Sequence, residues 1–445
     1  MRSFENLTHQ FGGMPTLELA EERGESLRVG GYPAPGSKGA LGAAFRWLAE
    51  NLEPPRAAGR ISSVEGTRAL AATLVFLLHS AESALRLELG SVSVALHSLL
   101  HALGPLGTNC FLVISGCFVY GSLMRSPVSY SGFLWRRALR IYPAFLIVLA
   151  LHIGFSLCFP AASRLPHDPL RAAIYVAANA ALLPGLLPIQ PIIGVSWTLS
   201  YIFGFYLISP LLVRSAKLYR LPRLQRCAVL AILAAGSRFL KASGVDTFRV
   251  RFLLVGTLVW EMIDWFKRRE RKPAWLPHVM LAAAAGAATV ICASVFLANP
   301  VRNLWGSVGL RILNAGLVPV ICLLCLCFCA FGGHSGLSRL LASRPLRLFG
   351  GMSYSFYLTH GITLNFFDEI AGPRISGLLG HSALAWLWYP VCFAAATVMA
   401  AAFFLLVERH FIPRPTPSPR RDRCILRNYG FPFRREKCKT AACSV

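Results

Sequence analysis

Apolar stretches of membrane-crossing length recur along this chain, and they limit its fold more than any other feature. Runs at 104–122, 141–160, 275–298 and 383–411 reach or approach the roughly 20 residues that a helix needs to cross a hydrocarbon core. In lipid every backbone N–H and C=O must be paired within the segment or barrel, so runs of this length are read as helices. Only 15% of the 445 residues are charged, against about a quarter in soluble domains. The fold class that follows is all-α: a polytopic bundle of membrane helices in contact with the lipid bilayer. Residues 1–57 are polar and rich in Gly and Pro. They lack an apolar signal core and read as a mostly disordered cytoplasmic extension. Residues 58–412 form the membrane domain and 413–445 a basic cytoplasmic tail.

The formal net charge of +25 would suggest nucleic acid for a soluble protein. Here the basic residues cluster between apolar runs, so they are read as cytoplasmic-loop charges that set topology, and no nucleic-acid partner is expected. Holding a polyanionic co-substrate is compatible with the same charges. The spans fall at 67–86, 104–122, 141–160, 194–213, 226–243, 248–266, 275–298, 307–331, 348–370 and 383–411. A tract at 172–193 is broken by Pro184, Pro188 and Pro191. Were it to cross, the basic loop after 213 and the run at 267–272 would lie outside. Treating it as re-entrant or interfacial keeps both inside and gives about ten crossings with both termini cytoplasmic. The Ala- and Arg-rich composition points to a bacterial plasma (inner) membrane.

Thirteen cysteines invite a metal or disulfide reading. Cys322, Cys325, Cys327 and Cys329 lie within one apolar run, VPVICLLCLCFCAF, where cysteine acts as a small hydrophobe. Neither a metal site nor a disulfide framework is expected.

The first span carries charge where a lipid-facing helix carries none. Glu65, Arg68, His79, Glu82 and Arg86 follow one another at helical spacing, with Ala72 and Val75 between, and share one face. About three turns, roughly 16 Å, separate Arg68 from His79. This puts Arg68 at the cytoplasmic surface and His79 near mid-membrane, dry enough for a neutral ring suited to general-base work. Glu82 lies three residues on and can orient that ring and stabilise its charged form. The plainer reading makes Glu82 an end-of-helix residue facing the far side. An ionisable group within a span is a functional-site hypothesis by default.

This helix resembles the first helix of the acyltransferase 3 family of membrane acyltransferases, through Glu65, Gly66, Arg68 and His79. Further matches come in family order. Phe111, Ser115, Gly116 and Phe118 are similar to its Phe-rich Ser-Gly-Phe helix, with the small residues read as helix packing. FLWRRALRIYP at 133–143 looks like its Arg-x-x-Arg pattern, through Arg137 and Arg140. Trp197, Leu199, Ser200, Phe205, Tyr206 and Pro210 match its Trp-Ser-Leu helix, but Ile202 and Phe203 stand where the family usually carries glutamates. Gly351, Ser353, Tyr354, Tyr357, Leu358 and His360 match its late Gly-x-Ser-Tyr helix.

The resemblance implies an O-acyltransferase that moves an acyl group, usually acetyl, from cytoplasmic acyl-CoA to a hydroxyl of an extracytoplasmic carbohydrate or glycan. Acyl-CoA is then a co-substrate, and no permanently bound cofactor is implied. Arg68, Arg137 and Arg140 would hold its phosphates, since forked guanidinium donors suit phosphate. His79 would be a general base or take the acyl group itself. Glu65, Trp197, Tyr354, Tyr357 and His360 would line the substrate path, with Trp197 either stacking on a sugar or anchoring at the interface. Glu261 and Asp264 share a face of the 248–266 span and are expected to pair with the neighbouring basic run at 267–272. The missing glutamates leave a second reading open, an exporter of a polysaccharide or small molecule on the same scaffold.

Overall fold

A computed structural model describes residues 47, 50–53, 61–89, 92–125, 129–160, 163–237, 249–269, 271–296, 316–332, 335–372, 374 and 383–412. The expected basic tail, nearly all of the expected N-terminal extension and the entry of the 307–331 span lie outside these residues. Met1–Glu50 and Asn51–Val445 are separate units, and everything below belongs to the second. Its helices are α1 (Ser62–Arg86), α2 (Val92–Arg125), α3 (Tyr130–Cys158), α4 (Pro169–Ala180) and α5 (Trp197–Ser215). They continue with α6 (Arg223–Gly236), α7 (Val250–Arg268), α8 (Leu276–Phe296) and α9 (Val318–Gly332). The last are α10 (Gly336–Leu341), α11 (Arg344–Gly351), α12 (Ser353–Ile370) and α13 (Trp388–Leu406). Among the described residues there is no strand, only an isolated bridge between Pro184 and Leu187.

Among the described residues five stretches are long and apolar enough to cross a membrane: Leu96–Arg125, Tyr130–Cys158, Trp197–Ser215, Leu276–Ser294 and Ala385–Leu406. The protein is a multi-pass membrane protein, but these five do not carry the expected count of about ten. The difference has a physical cause. Helix α1 bears Glu65, Arg68, Glu82 and Arg86, and α7 bears Arg251, Glu261, Asp264, Lys267 and Arg268. Neither therefore reads as lipid-soluble on composition, and Glu65 on α1 and Arg251 and Glu261 on α7 are buried in the bundle. Helix α9 is apolar with 15 residues, and the entry of the span expected at 307–331 lies outside the described residues.

The long helices are two-faced. On α3, Leu146, Ile147, Leu151 and Leu157 are exposed, while Phe145, Val148, Leu149 and His152 are buried. One side thus suits lipid tails and the other the bundle. Prolines 105, 143 and 210 lie inside α2, α3 and α5, tolerated because neighbouring helices can re-satisfy the freed backbone groups.

Two close crossings set the frame. Where α2 meets α7, a side chain on Gly116 would run into the Leu253 carbonyl, and one on Gly256 into that of Val113. Where α1 meets α10 and α11, Gly66 faces the Leu341 carbonyl and Gly350 faces that of Glu65. Small residues let helix backbones approach this closely. The cysteines serve similar packing: the Cys322 thiol lies 3.6 Å from the Ala284 carbonyl, and Cys329 lies 3.3 Å from that of Pro277. Both tie α9 to α8.

Helix α4 has 12 residues, about 18 Å of rise, too short for a hydrocarbon core of about 30 Å. Asp168 caps it by accepting from Arg171 N at 2.8 Å, and Pro169 starts it. The chain turns back at Leu182 and Gly185, both at positive φ. Asn179, 1% exposed, then holds the returning strand of chain: its amide donates to the Tyr175 and Gln190 carbonyls and its oxygen accepts from Ile192 N. A short helix with a returning loop fits the re-entrant or interfacial reading of 172–193.

The expected pairing of Glu261 with the run at 267–272 needs correction. Arg226 of α6 grips both its oxygens, at 2.6 and 2.9 Å, and the Tyr120 hydroxyl donates to it at 2.8 Å. Glu261 is 1% exposed and turned towards α6 and α2. Asp264 does take Arg268 of that run, at 2.8 Å, together with Arg223 at 2.7 Å.

Candidate active site

The polar face of α1 ends in an ordered group. His79 Nδ1 and Glu82 Oε2 are 2.9 Å apart, one turn of helix joining them. A carboxylate can only accept, so Nδ1 carries the proton and Nε2 is left as the free lone pair of a neutral ring. Farther out, Arg86 donates to Asp368 of α12 at 2.6 Å, and the Ser83 hydroxyl bonds the other Asp368 oxygen. These contacts pin the outer end of α1 to α12. His360, also on α12, lies over His79 with ring centroids 5.5 Å apart and planes 28° from parallel.

These residues line a cavity of about 260 Å³. Helix α1 supplies His79, Glu82 and Arg86, and α3 supplies His152, Phe155 and Ser156. Helix α12 adds His360, Gly361 and Asn365, and the loop secured by Asn179 adds 192–195. Arg164 stands at its edge, donating to the Pro191 carbonyl at 3.2 Å. The side chains of His79 and Glu82 are 33% and 36% accessible. The His79 ring is thus part-buried, with seven residues of α1 beyond it. His360, 1% exposed, is the sealed ring of the pair.

A second polar layer lies at the other end of α1. Arg68 pairs with Glu65 at 3.5 Å. Arg140 of α3 stands within electrostatic reach of Arg68, Glu408 and Arg137. The Arg137 guanidinium lies over the Phe133 and Tyr206 rings, at 5.2 and 5.3 Å from their centres. Glu408, just past α13 and 5% exposed, is held by Ser355 N at 3.0 Å and the Ser355 hydroxyl at 2.6 Å. Cationic groups with free fork donors are suited to phosphate.

Of the sequence-expected residues, His79, Glu82 and His360 meet in the cavity, whereas Arg68, Arg137, Arg140 and Glu65 form the separate inner layer. Tyr354 supports that layer, donating to the Ile141 carbonyl at 2.8 Å. Tyr357 stands behind His360 and shares a hydrogen bond of 2.7 Å with Thr198. Trp197 is not among the residues lining the cavity, and the Arg249 guanidinium lies over one face of its ring at 4.1 Å. Between the layers the route along α1 is filled. Phe76, fully buried, packs on Phe356 and Phe393 at 5.6 and 5.4 Å, and Phe111 meets Tyr357 at 5.2 Å. Arg68, Arg137 and Arg140 do not line the cavity.

Sequence reasoning missed His152, Arg164, Asn179, Asn365 and Glu408. One signal was available for His152. It follows Arg140 on α3 by about the interval that separates His79 from Arg68 on α1, so both helices carry an arginine at one level and a histidine roughly 16–18 Å higher. Among the described residues no group of three His, Cys, Asp or Glu is arranged to hold a metal ion.

A family model described as an acyltransferase domain, acyltransferase 3, matches residues 61–405. Among characterised proteins the chain is similar to acyltransferase MdmB of Streptomyces mycarofaciens. The two are 27% identical over 352 residues, which is 72% of this chain and 83% of the relative. No solved structure matches the chain.

Proposed function

The chain belongs to the acyltransferase 3 family, and from that premise we propose that it carries an acyl group, acetyl in the simplest case, from cytoplasmic acyl-CoA to a hydroxyl of an extracytoplasmic carbohydrate. The observation that carries the reading is the 2.9 Å contact of His79 with Glu82 inside an open polar cavity. In this reading Glu82 fixes the Nδ1–H tautomer, and Nε2 takes the proton of the acceptor hydroxyl as its oxygen attacks the thioester carbonyl. The C–S bond then breaks, and the thiolate leaves with the proton from the imidazolium. Glu82 stabilises that imidazolium for as long as it lasts. General-base assistance of this kind is worth about 10²–10⁴ in rate. Histidine as a transient acyl carrier is the variant with the same residues; ping-pong kinetics with an isolable acyl-enzyme would select it over direct transfer.

The inner layer takes the other substrate in this proposal. Arg68, Arg137 and Arg140 bind the phosphates of acyl-CoA from the cytoplasm, with Glu65, Tyr354 and Glu408 fixing their positions. The thioester then follows the α1 face outwards, and this requires Phe76, Phe111 and Tyr357 to part. The proposal takes both termini to be cytoplasmic and the membrane to be a bacterial inner membrane, with 1–57 and 413–445 as appendages to the catalytic membrane domain. Mass spectrometry of glycans from cells carrying the wild type or His79→Ala tests the reading. The wild type should add a mass of one acyl group that the variant does not. Equal modification by both would refute it.

A further inference from the structure

His152 and His360 are unused by the chemistry above, yet both line the cavity and each carries a buried ring nitrogen without a partner. The His360 ring is 1% exposed, and its Nε2 makes no hydrogen bond. Its Nδ1 lies 3.1 Å from the Phe356 carbonyl of its own helix. That carbonyl can only accept, so Nδ1 is the protonated nitrogen, and Nε2 of the neutral ring is a bare acceptor. The ring is packed among aromatic neighbours. It stacks on Phe356 at 5.9 Å and 13°, and meets Phe76 at 6.4 Å and Tyr357 at 6.0 Å. His152 is 6% exposed, and its Nε2 is likewise without a partner. It stands near enough to His360 for the two to interact electrostatically. A buried polar atom left without a partner is costly to a fold, and such atoms call for an explanation. Two of them belong to residues of α3 and α12 that line the cavity shared with His79.

We propose that His152 and His360 form the acceptor subsite, binding a hydroxyl adjacent to the one that reacts, so that the acceptor is a single small ring bearing vicinal hydroxyls. This rests on the acyl-transfer reading and narrows its acceptor class. Size supports one ring: about 260 Å³ lies just below the range of roughly 300–1,000 Å³ typical of pockets for drug-sized ligands. The remainder of a larger acceptor would pass out through the open mouth. Geometry supports two hydroxyls. The rings of His79 and His360 lie with centroids 5.5 Å apart, close enough for neighbouring hydroxyls of one acceptor ring to be shared between them. The chemistry also sets specificity. A site built to bind a hydroxyl rejects an analogue lacking it far more strongly than an apolar pocket rejects an extra group, because its own polar atom is then left unpaired.

Two small alcohols test this with protein in lipid nanodiscs and radiolabelled acetyl-CoA. These are trans-cyclohexane-1,2-diol and cyclohexanol, which differ only in the adjacent hydroxyl. The readout is the ratio of kcat/KM for the two in one preparation, so a general loss of active protein cancels. The wild type should favour the diol at least tenfold. His360→Phe and His152→Phe should bring the ratio below about threefold, and His360→Gln, which restores an acceptor oxygen, should recover part of the preference. A wild-type ratio near one, or a preference that survives both Phe variants, overturns the subsite. So does transfer to neither alcohol while acetyl-CoA is still cleaved in a His79-dependent way. Absence of any His79-dependent cleavage overturns the acyl-transfer reading itself.

Discussion

Glu82→Gln is the substitution whose outcome the geometry predicts most sharply. Glutamine has nearly the same shape and can still reach His79 Nδ1 across 2.9 Å. Two things change. The negative charge facing the imidazolium is lost, and the amide can donate to Nδ1, which moves the ring proton to Nε2 and blocks the base. A charge pair about 4 Å apart is worth roughly 1 kcal/mol in water and about 4 kcal/mol near a protein surface. With about a third of each side chain accessible, solvent screening keeps the electrostatic loss within that range. At 1.36 kcal/mol per tenfold, about 1–4 kcal/mol corresponds to a fall in kcat of roughly 5- to 10³-fold. The tautomer effect, worth about 10⁴ where it acts fully, pushes towards the upper end. A fall of about 10²–10³ in kcat is therefore expected. KM for acyl-CoA should be unchanged, because Glu82 lies a full layer away from the arginines. Release of free CoA thiol from acetyl-CoA by nanodisc-embedded protein measures both parameters. A variant within about threefold of wild-type kcat would refute the role assigned to the carboxylate.

Other substitutions probe the remaining parts of the account. Arg68→Ala and Arg140→Ala should each raise KM for acyl-CoA about tenfold or more, with a smaller effect on kcat, as expected when a charge-assisted phosphate contact is lost; unchanged KM in steady-state kinetics would remove the inner layer from donor binding. Glu261→Gln leaves Arg226 without its carboxylate in a buried network and should cost about 3–5 kcal/mol of stability, seen as a lower melting temperature in detergent with normal activity per folded molecule. Gly116→Leu forces a side chain into the Leu253 carbonyl, and overpacking of this kind costs at least about 1–3 kcal/mol; the expected sign is loss of monodisperse protein on size-exclusion chromatography.

The part of the site that could be read from the sequence is the part that lies on single helices. The polar line on α1 obeys helical spacing, so the nearness of His79 and Glu82 follows from local geometry, and the structure has them in contact. Residues that reach the site from separate elements leave no such trace. His152, Arg164 and Asn365 converge only because α3, the loop held by Asn179 and α12 pack around α1. Trp197 looked available for stacking because Arg249, which lies over one face of its ring, is 52 positions away in the chain. Likewise, nothing local to Glu261 reveals that Arg226 of a different helix claims it. The count of crossings suffered from the same non-locality. Helices α1 and α7 bury part of their charge, Glu65 on one and Arg251 and Glu261 on the other, so their composition alone does not say whether they span.

The central claim is that the His79 imidazole performs the acyl transfer, and thioester cleavage by its variant tests it most directly. Purified wild-type protein and His79→Ala, both monodisperse in nanodiscs, are mixed with radiolabelled acetyl-CoA and an alcohol acceptor, and CoA release is followed over time. Loss of at least about 10³-fold in kcat/KM in the variant, from removal of the proton acceptor and the ordering it provides, is the expected result. Cleavage at the wild-type rate by His79→Ala would contradict the account.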